Sequence, residues 1–197
     1  MAKTSGADDA AVNDEARYRQ AAAAIDARND EDPTGREPQH ARDVLRWIDV
    51  LAPQASVALR LAGRAQHMGR WRIPRGRYPE GRAGYLRWRR DLAAFHAEET
   101  ARLLTGCGYP AGFVDRVARL VRKEDLAGDP EAQTLEDALC LVFIERDLDG
   151  FRRRHDDTKL ERILRRTWAK MSPAARREAL ALPLSEPVRE LLARSVG

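Results

Sequence analysis

The stretch Leu135–Glu145, LEDALCLVFIE, decides the fold. Its centre, Ala138 to Ile144, is an unbroken apolar run, and so short a run still wraps almost two turns of an α-helix, so every side of that helix must meet protein. Two adjacent carboxylates, Glu136 and Asp137, enter on the same helix. An unpaired buried carboxylate is costly, so each needs a cation, a metal or hydrogen-bond donors. A first-turn acidic pair favoured by the helix dipole, or an ion pair with a nearby arginine, would meet that need structurally; a catalytic pair would meet it functionally.

A helix buried all round needs other helices about it, and the flanking sequence supplies them. Asp129-Pro130 opens the central helix, predicted near 131–147. Upstream, helical spacing predicts Pro110–Lys123 and a long helix over Arg82–Leu104 with Trp88, Leu92, Phe95 and Leu103 on one face, stopped by Gly106 and Gly108. Further helices are predicted over Pro53–Trp71 and His40–Leu51, and an N-terminal arm from Asn13 to Ile25 is followed by a loop from Asp26 with Pro33, Gly35 and Pro38. Downstream come Asp156–Lys170 and two short helices after Ser172 and Ser185. No stretch alternates with period two long enough to make a sheet. The predicted class is all-α: a single helical bundle over 13–197, with 13–38 as arm and loop and 1–12 as a disordered tail.

At 197 residues, 43% hydrophobic and 34% charged, the chain is large enough to bury one core and too apolar to be disordered throughout. No apolar run approaches the roughly 18 residues of a membrane span, and the N-terminus lacks the basic-then-apolar order of a signal peptide, so no membrane partner and a cytoplasmic location are expected. Cys107 and Cys140 are too few for a disulfide framework or a thiolate zinc site. The net charge of +4 conceals an asymmetry: residues 60–90 hold ten arginines against the single Glu80. Guanidinium forks suit phosphate and carboxylate, and here they alternate with Trp71, Tyr78, Tyr85 and Trp88 in a Pro- and Gly-rich stretch. An anionic small molecule is the expected partner. Nucleic acid is a weaker one, since no helix-turn-helix, RNA-recognition or zinc signature accompanies the segment. The oligomeric state is open.

The motifs RAQHMGRWRIPRGRYPEGRAGYLRWR (Arg64–Arg89), HAEE from His96, LEDALCLVFIE, and the stretch from KL to RTWAKMS ending at Ser172 resemble the domain of unknown function 4202 family. The upstream AIDARNDEDP, Ala24–Pro33, fits as well, so the resemblance covers about residues 18–182. It implies a domain spanning nearly the whole chain and makes His67, Tyr78, Arg82, Trp88, Arg89, His96, Asp137 and Lys170 parts of named motifs. Some members carry a glutamyl-tRNA synthetase label, yet this chain has no βαβ pattern and no nucleotide-binding signature.

The order His67, His96, Asp137, all on helices, is also similar to that of the HD-domain metal-dependent phosphohydrolases. Those use a His-Asp dipeptide where this chain has His96-Ala97, so Glu99 or Glu98 must stand in for the missing aspartate; Glu99 shares the face of His96 and Glu98 does not. The literal dipeptide His155-Asp156 falls in a charged stretch, with Asp156 placed to cap a helix. From these residues one expected function is a metal-dependent hydrolase of a phosphorylated metabolite or nucleotide. His67, His96, Asp137 and Glu99 would hold Mn, Fe, Zn or Ni, and Glu136 and Asp137 would serve catalysis. Arg75, Tyr78, Arg82, Arg87, Trp88, Arg89 and Lys170 would bind substrate. The alternatives are a non-catalytic anion- or RNA-binding protein and an HD-like iron oxygenase.

Overall fold

The computed structural model describes the backbone of residues 5–196 and the side chains of 13–196. Among the described residues there are helices and no strand, and the class is all-α. The described residues divide into two compact units, one running to Arg42 and including Ser56–Glu124, the other made of Asp43–Ala55 and the chain from Asp125 onward.

The first unit holds α1 (Ser5–Asp30), the start of α2 (Arg36–Leu51), α3 (Val57–Ala65), single 3-10 turns at Arg70–Arg72 and Arg75–Arg77, α4 (Gly81–Gly106) and α5 (Ala111–Arg122). Helix α1 begins at Ser5, inside the predicted tail, whose residues 1–4 lie outside the described residues. It also runs past Ile25 to Asp30, because the break is made by Asp32 and not by the prolines. The Asp32 carboxylate accepts from the N–H groups of Arg36 at 2.8 Å and Glu37 at 3.1 Å, and from the Thr34 hydroxyl at 2.7 Å. That cap starts α2 at Arg36, ahead of the predicted His40. Helix α3 is shorter than predicted: the Ser56 hydroxyl caps it by accepting from Leu59 N–H, and Gly69, at φ +74°, turns the chain away soon after its end. Helix α4 packs on α5, α3 on α5, and α1 on both α3 and α4. Ile25, Leu59, Leu61, Leu104 and Leu120 are fully buried there, each contributing about 1.5–3 kcal/mol relative to exposure.

In the second unit Asp129 caps α6 (Pro130–Val142), which passes through a π-helical turn at Phe143–Asp147 into α7 (Leu148–Arg152). Then come α8 (Asp157–Lys170), capped by Asp156 as predicted, α9 (Pro173–Ala181) and α10 (Glu186–Val196). Helix α6 contacts α8 and α9, and α10 lies on α7 and α8. Leu135, Ala138 and Leu141 have no exposed surface, and Val142 and Ile144 almost none; only Leu139 and Phe143 of the apolar run are half-buried. The π turn shifts facing residues by one position and aims Glu145 and Arg146 at residues 43–51. Trp47 Nε1 donates to Glu145 at 2.9 Å, Arg46 pairs with the same carboxylate, and Arg146 pairs with the buried Asp43 at 3.0 Å.

Candidate functional site

His67 sits where the chain leaves α3. Gln66, beside it, ties this turn to α5 by donating from Nε2 to the Val121 carbonyl, and Gly69 lets the backbone pass close to Phe95 of α4, where a Cβ would lie 3.0 Å from the ring. His67 Nδ1 is 3.0 Å from Glu37 Oε2, its Nε2 is 3.3 Å from an Arg70 amino group, and its ring stacks on His40 with centroids 3.7 Å apart. Although a quarter of the side chain remains accessible, burial first, then the charges of His40, Arg70, His96 and Arg89, hold its pKa well below the ordinary value. The neutral ring therefore donates from Nδ1 to Glu37 and turns its Nε2 lone pair to Arg70.

His96, on α4, joins it: the two ring centroids are 6.2 Å apart, so the two sequence-predicted histidines do come together. His96 is 4% exposed, and its Nε2 has no hydrogen-bond partner among the described residues. Burial, then Arg70, Arg89, Lys123 and His40, push its pKa down to about 3. Ala97, at the place of the absent aspartate, faces the core with no exposed surface. Glu99 is ion-paired with Arg102 one turn on.

The arginine segment separates into two kinds of residue. Arg75 donates to the carbonyls of Tyr78 at 2.9 Å and Pro79 at 2.8 Å and so shapes the loop. The Tyr78 hydroxyl donates to Asp91 at 3.1 Å, with Arg87 3.9 Å from the same carboxylate. Buried Trp88 donates to the Ile73 carbonyl at 2.8 Å and carries the Arg70 guanidinium over its ring at 4.9 Å. Gly84 is required here, since a Cβ would stand 1.9 Å from the Pro79 carbonyl oxygen. Arg82 and Arg89, two turns apart on α4, are exposed and have no hydrogen-bond or ion-pair partner among the described residues. Ile73, Arg77, Tyr78, Pro79, Arg87 and Asp91 line a cleft of about 360 Å³.

The remaining predicted residues belong to the second unit. Glu136, 6% exposed, accepts from Lys170 Nζ at 3.1 Å. Asp137, 3% exposed, accepts from Gln133 Nε2 and Ser172 N–H, each at 2.9 Å. Both buried carboxylates thus have structural partners. Among the described residues no three His, Cys, Asp or Glu side chains cluster so as to hold a metal ion. Sequence spacing did not single out Glu37 or His40, although both precede Ala41, Val44 and Ile48 on one face of α2, which was the available signal.

The family model described as Domain of unknown function (DUF4202) matches residues 19–192. The chain belongs to the DUF4202 family. The match includes Glu37, His67, the arginine segment, His96, Glu136, Asp137 and Lys170, so every candidate site residue lies inside the family domain. Comparison with curated proteins and with solved structures gives no match. Among the described residues no helix is long and apolar enough to cross a membrane.

Proposed function

We propose that the first unit binds a phosphate-bearing small molecule, with arginines of residues 70–90 taking the phosphate. The observation that carries this reading is the positive field at the buried His96 together with the exposed guanidinium of Arg89. The imidazole is 4% exposed, Nε2 lacks a partner among the described residues, and Arg70 and Arg89 both oppose its protonation. A multiply charged anion bound at the exposed Arg89 guanidinium would offset that field and accept from the guanidinium forks. Arg82 adds a second exposed guanidinium on the face of Arg89. Arg70 and Arg89 beside two imidazoles suit a compact ligand better than an extended nucleic-acid backbone.

His67 engages Glu37 and Arg70, Glu99 engages Arg102, and Asp137 engages Gln133 and Ser172. These partners do not fit the ligand shell that a metal-dependent hydrolase or an iron oxygenase needs.

The test is calorimetry with inorganic pyrophosphate near pH 5, in two buffers of different ionisation enthalpy. A bound anion raises the pKa of His96, so saturable binding should take up more protons in the wild-type chain than in His96→Gln, and Arg89→Gln should weaken it ~10-fold or more while circular dichroism is unchanged. Absence of binding, or equal affinity in Arg89→Gln, would overturn the proposal. Tight, salt-sensitive binding of an oligouridylate that pyrophosphate does not displace would instead assign the surface to RNA.

A further inference from the structure

Glu37, His67 and Arg70 form a line in which the imidazole stands between a carboxylate and a guanidinium. Glu37 Oε2 is 3.0 Å from Nδ1, and an Arg70 amino group is 3.3 Å from Nε2. Each flanking group is itself held in place. Glu37 is the second residue of α2, and its N–H is tied to the capping carboxylate of Asp32 at 3.1 Å. Arg70 lies over the Trp88 ring, which is fixed in turn by its bond to the Ile73 carbonyl.

This arrangement gives the two ring nitrogens different work. Glu37 accepts the Nδ1 proton, which fixes the tautomer and leaves the lone pair on Nε2. His40, stacked at 3.7 Å with the rings 4° from parallel, keeps the imidazole from swinging away. The forked N–H groups of Arg70 suit a phosphoryl oxygen better than a ring nitrogen at 3.3 Å. A phosphate taken by Arg70 therefore brings its phosphorus beside the Nε2 lone pair, and a quarter of the His67 side chain is accessible.

Resting on the phosphate reading of these arginines, we infer that His67 Nε2 is a nucleophile that takes a phosphoryl group from a phosphoric anhydride. The Nε2 lone pair forms an N–P bond. The P–O bond to the leaving phosphate breaks, its electron pair departs on that oxygen, and the Nδ1 proton passes to Glu37. Arg70 and Arg89, whose charges both reach this ring, neutralise the transferring oxygens. Burial, then the charges of His40, Arg70, His96 and Arg89, hold the His67 pKa well below its ordinary value, so at neutral pH the lone pair is unprotonated while the ring is a weak proton acceptor. That balance suits a nucleophile better than a general base.

The experiment incubates the full chain near pH 8 with 32P-labelled inorganic pyrophosphate and, separately, with γ-32P ATP, and quenches in alkali. One of the two should leave a single phosphoryl group that is stable in alkali and lost in acid, and mass spectrometry of peptides kept alkaline should place it on His67 of the wild-type chain. His67→Gln should carry no label. Glu37→Gln should lower the rate of labelling at saturating donor ~10-fold, with the label still on His67, a loss of rate that weakened binding alone would not give. Calorimetry with pyrophosphate under the same conditions separates the two readings. Binding of pyrophosphate without label from either donor, label on another residue, or an unchanged rate in Glu37→Gln would overturn this inference and leave the binding site standing. Absence of pyrophosphate binding would remove both.

Discussion

Acidification should unfold this protein partly through His96. The ring has an ordinary value of 6.5 in the unfolded chain and about 3 in the folded one. Between those values the unfolded state binds one proton more than the folded state, so stability falls as pH falls through the window, and this group has no effect above it. The slope is about 1.4 kcal/mol per pH unit for a single proton, so a descent from 6.5 to about pH 4.5 removes roughly 3 kcal/mol. His67, also held below its ordinary value, acts in the same direction. Asp32 acts lower down. Burial raises its pKa, but hydrogen bonds from Thr34, Glu37 and Arg36 outweigh burial and lower it, so its stabilisation is complete above 3.8 and lost only below. The assay is urea unfolding of the wild-type chain and of His96→Gln at a series of pH values. Glutamine keeps a donor and an acceptor but carries no titrating charge. The variant should be less stable near neutrality, because it disturbs buried packing beside Phe95 and His67. Its deficit should shrink by roughly 3 kcal/mol by about pH 4.5. Parallel stability curves for the two proteins would refute the assignment of a buried neutral His96.

Gly84→Ala should force Pro79 away from α4, since its Cβ would stand 1.9 Å from that carbonyl oxygen. A cost of roughly 2–4 kcal/mol, with tryptic cleavage appearing at Arg75–Arg82, is expected from paired melting and proteolysis measurements. Asp32→Ala removes the cap of α2 and should cost about 1–2 kcal/mol in urea unfolding; it should also shift the His67 ring resonances, because the Glu37 N–H is one of its donors. Leu141→Ala, at a position with no exposed surface, should cost roughly 2–5 kcal/mol, whereas Leu139→Ala, half-buried on the same helix, should cost distinctly less.

The helices were legible because their signals are local. Asp129-Pro130, Asp156 and Ser172 each stand one residue before, or at, a helix start, and the all-round apolar run needed no partner to declare its burial. The misplaced boundaries of α1, α2 and α3 share one cause. Prolines are the punctuation legible there, whereas side chains make the boundaries: Asp32 reaches forward to the N–H groups of Arg36 and Glu37, and Ser56 to that of Leu59. A cap competes successfully with a nearby proline because it satisfies orphan donors, while proline only restricts φ. The π turn after Val142 was not legible, as its register shift depends on Glu145 and Arg146 meeting residues about a hundred positions earlier in the chain.

At the candidate site, residue types were readable and partners were not. His67 and His96 are legible as two histidines on separate predicted helices with carboxylates nearby, and their ring centroids lie 6.2 Å apart. The role of an imidazole, however, is set by what its two nitrogens already hold. His67 has both engaged, by Glu37 and Arg70, and His96 has its Nε2 unengaged among the described residues. Glu99, Glu136 and Asp137 are likewise engaged, by Arg102, by Lys170, and by Gln133 with Ser172. Once those partners are assigned, the unanswered chemistry of the first unit is a buried nitrogen under two guanidinium charges. That field favours an anion at the nearby arginines, a demand that does not follow from counting histidines and carboxylates along the chain.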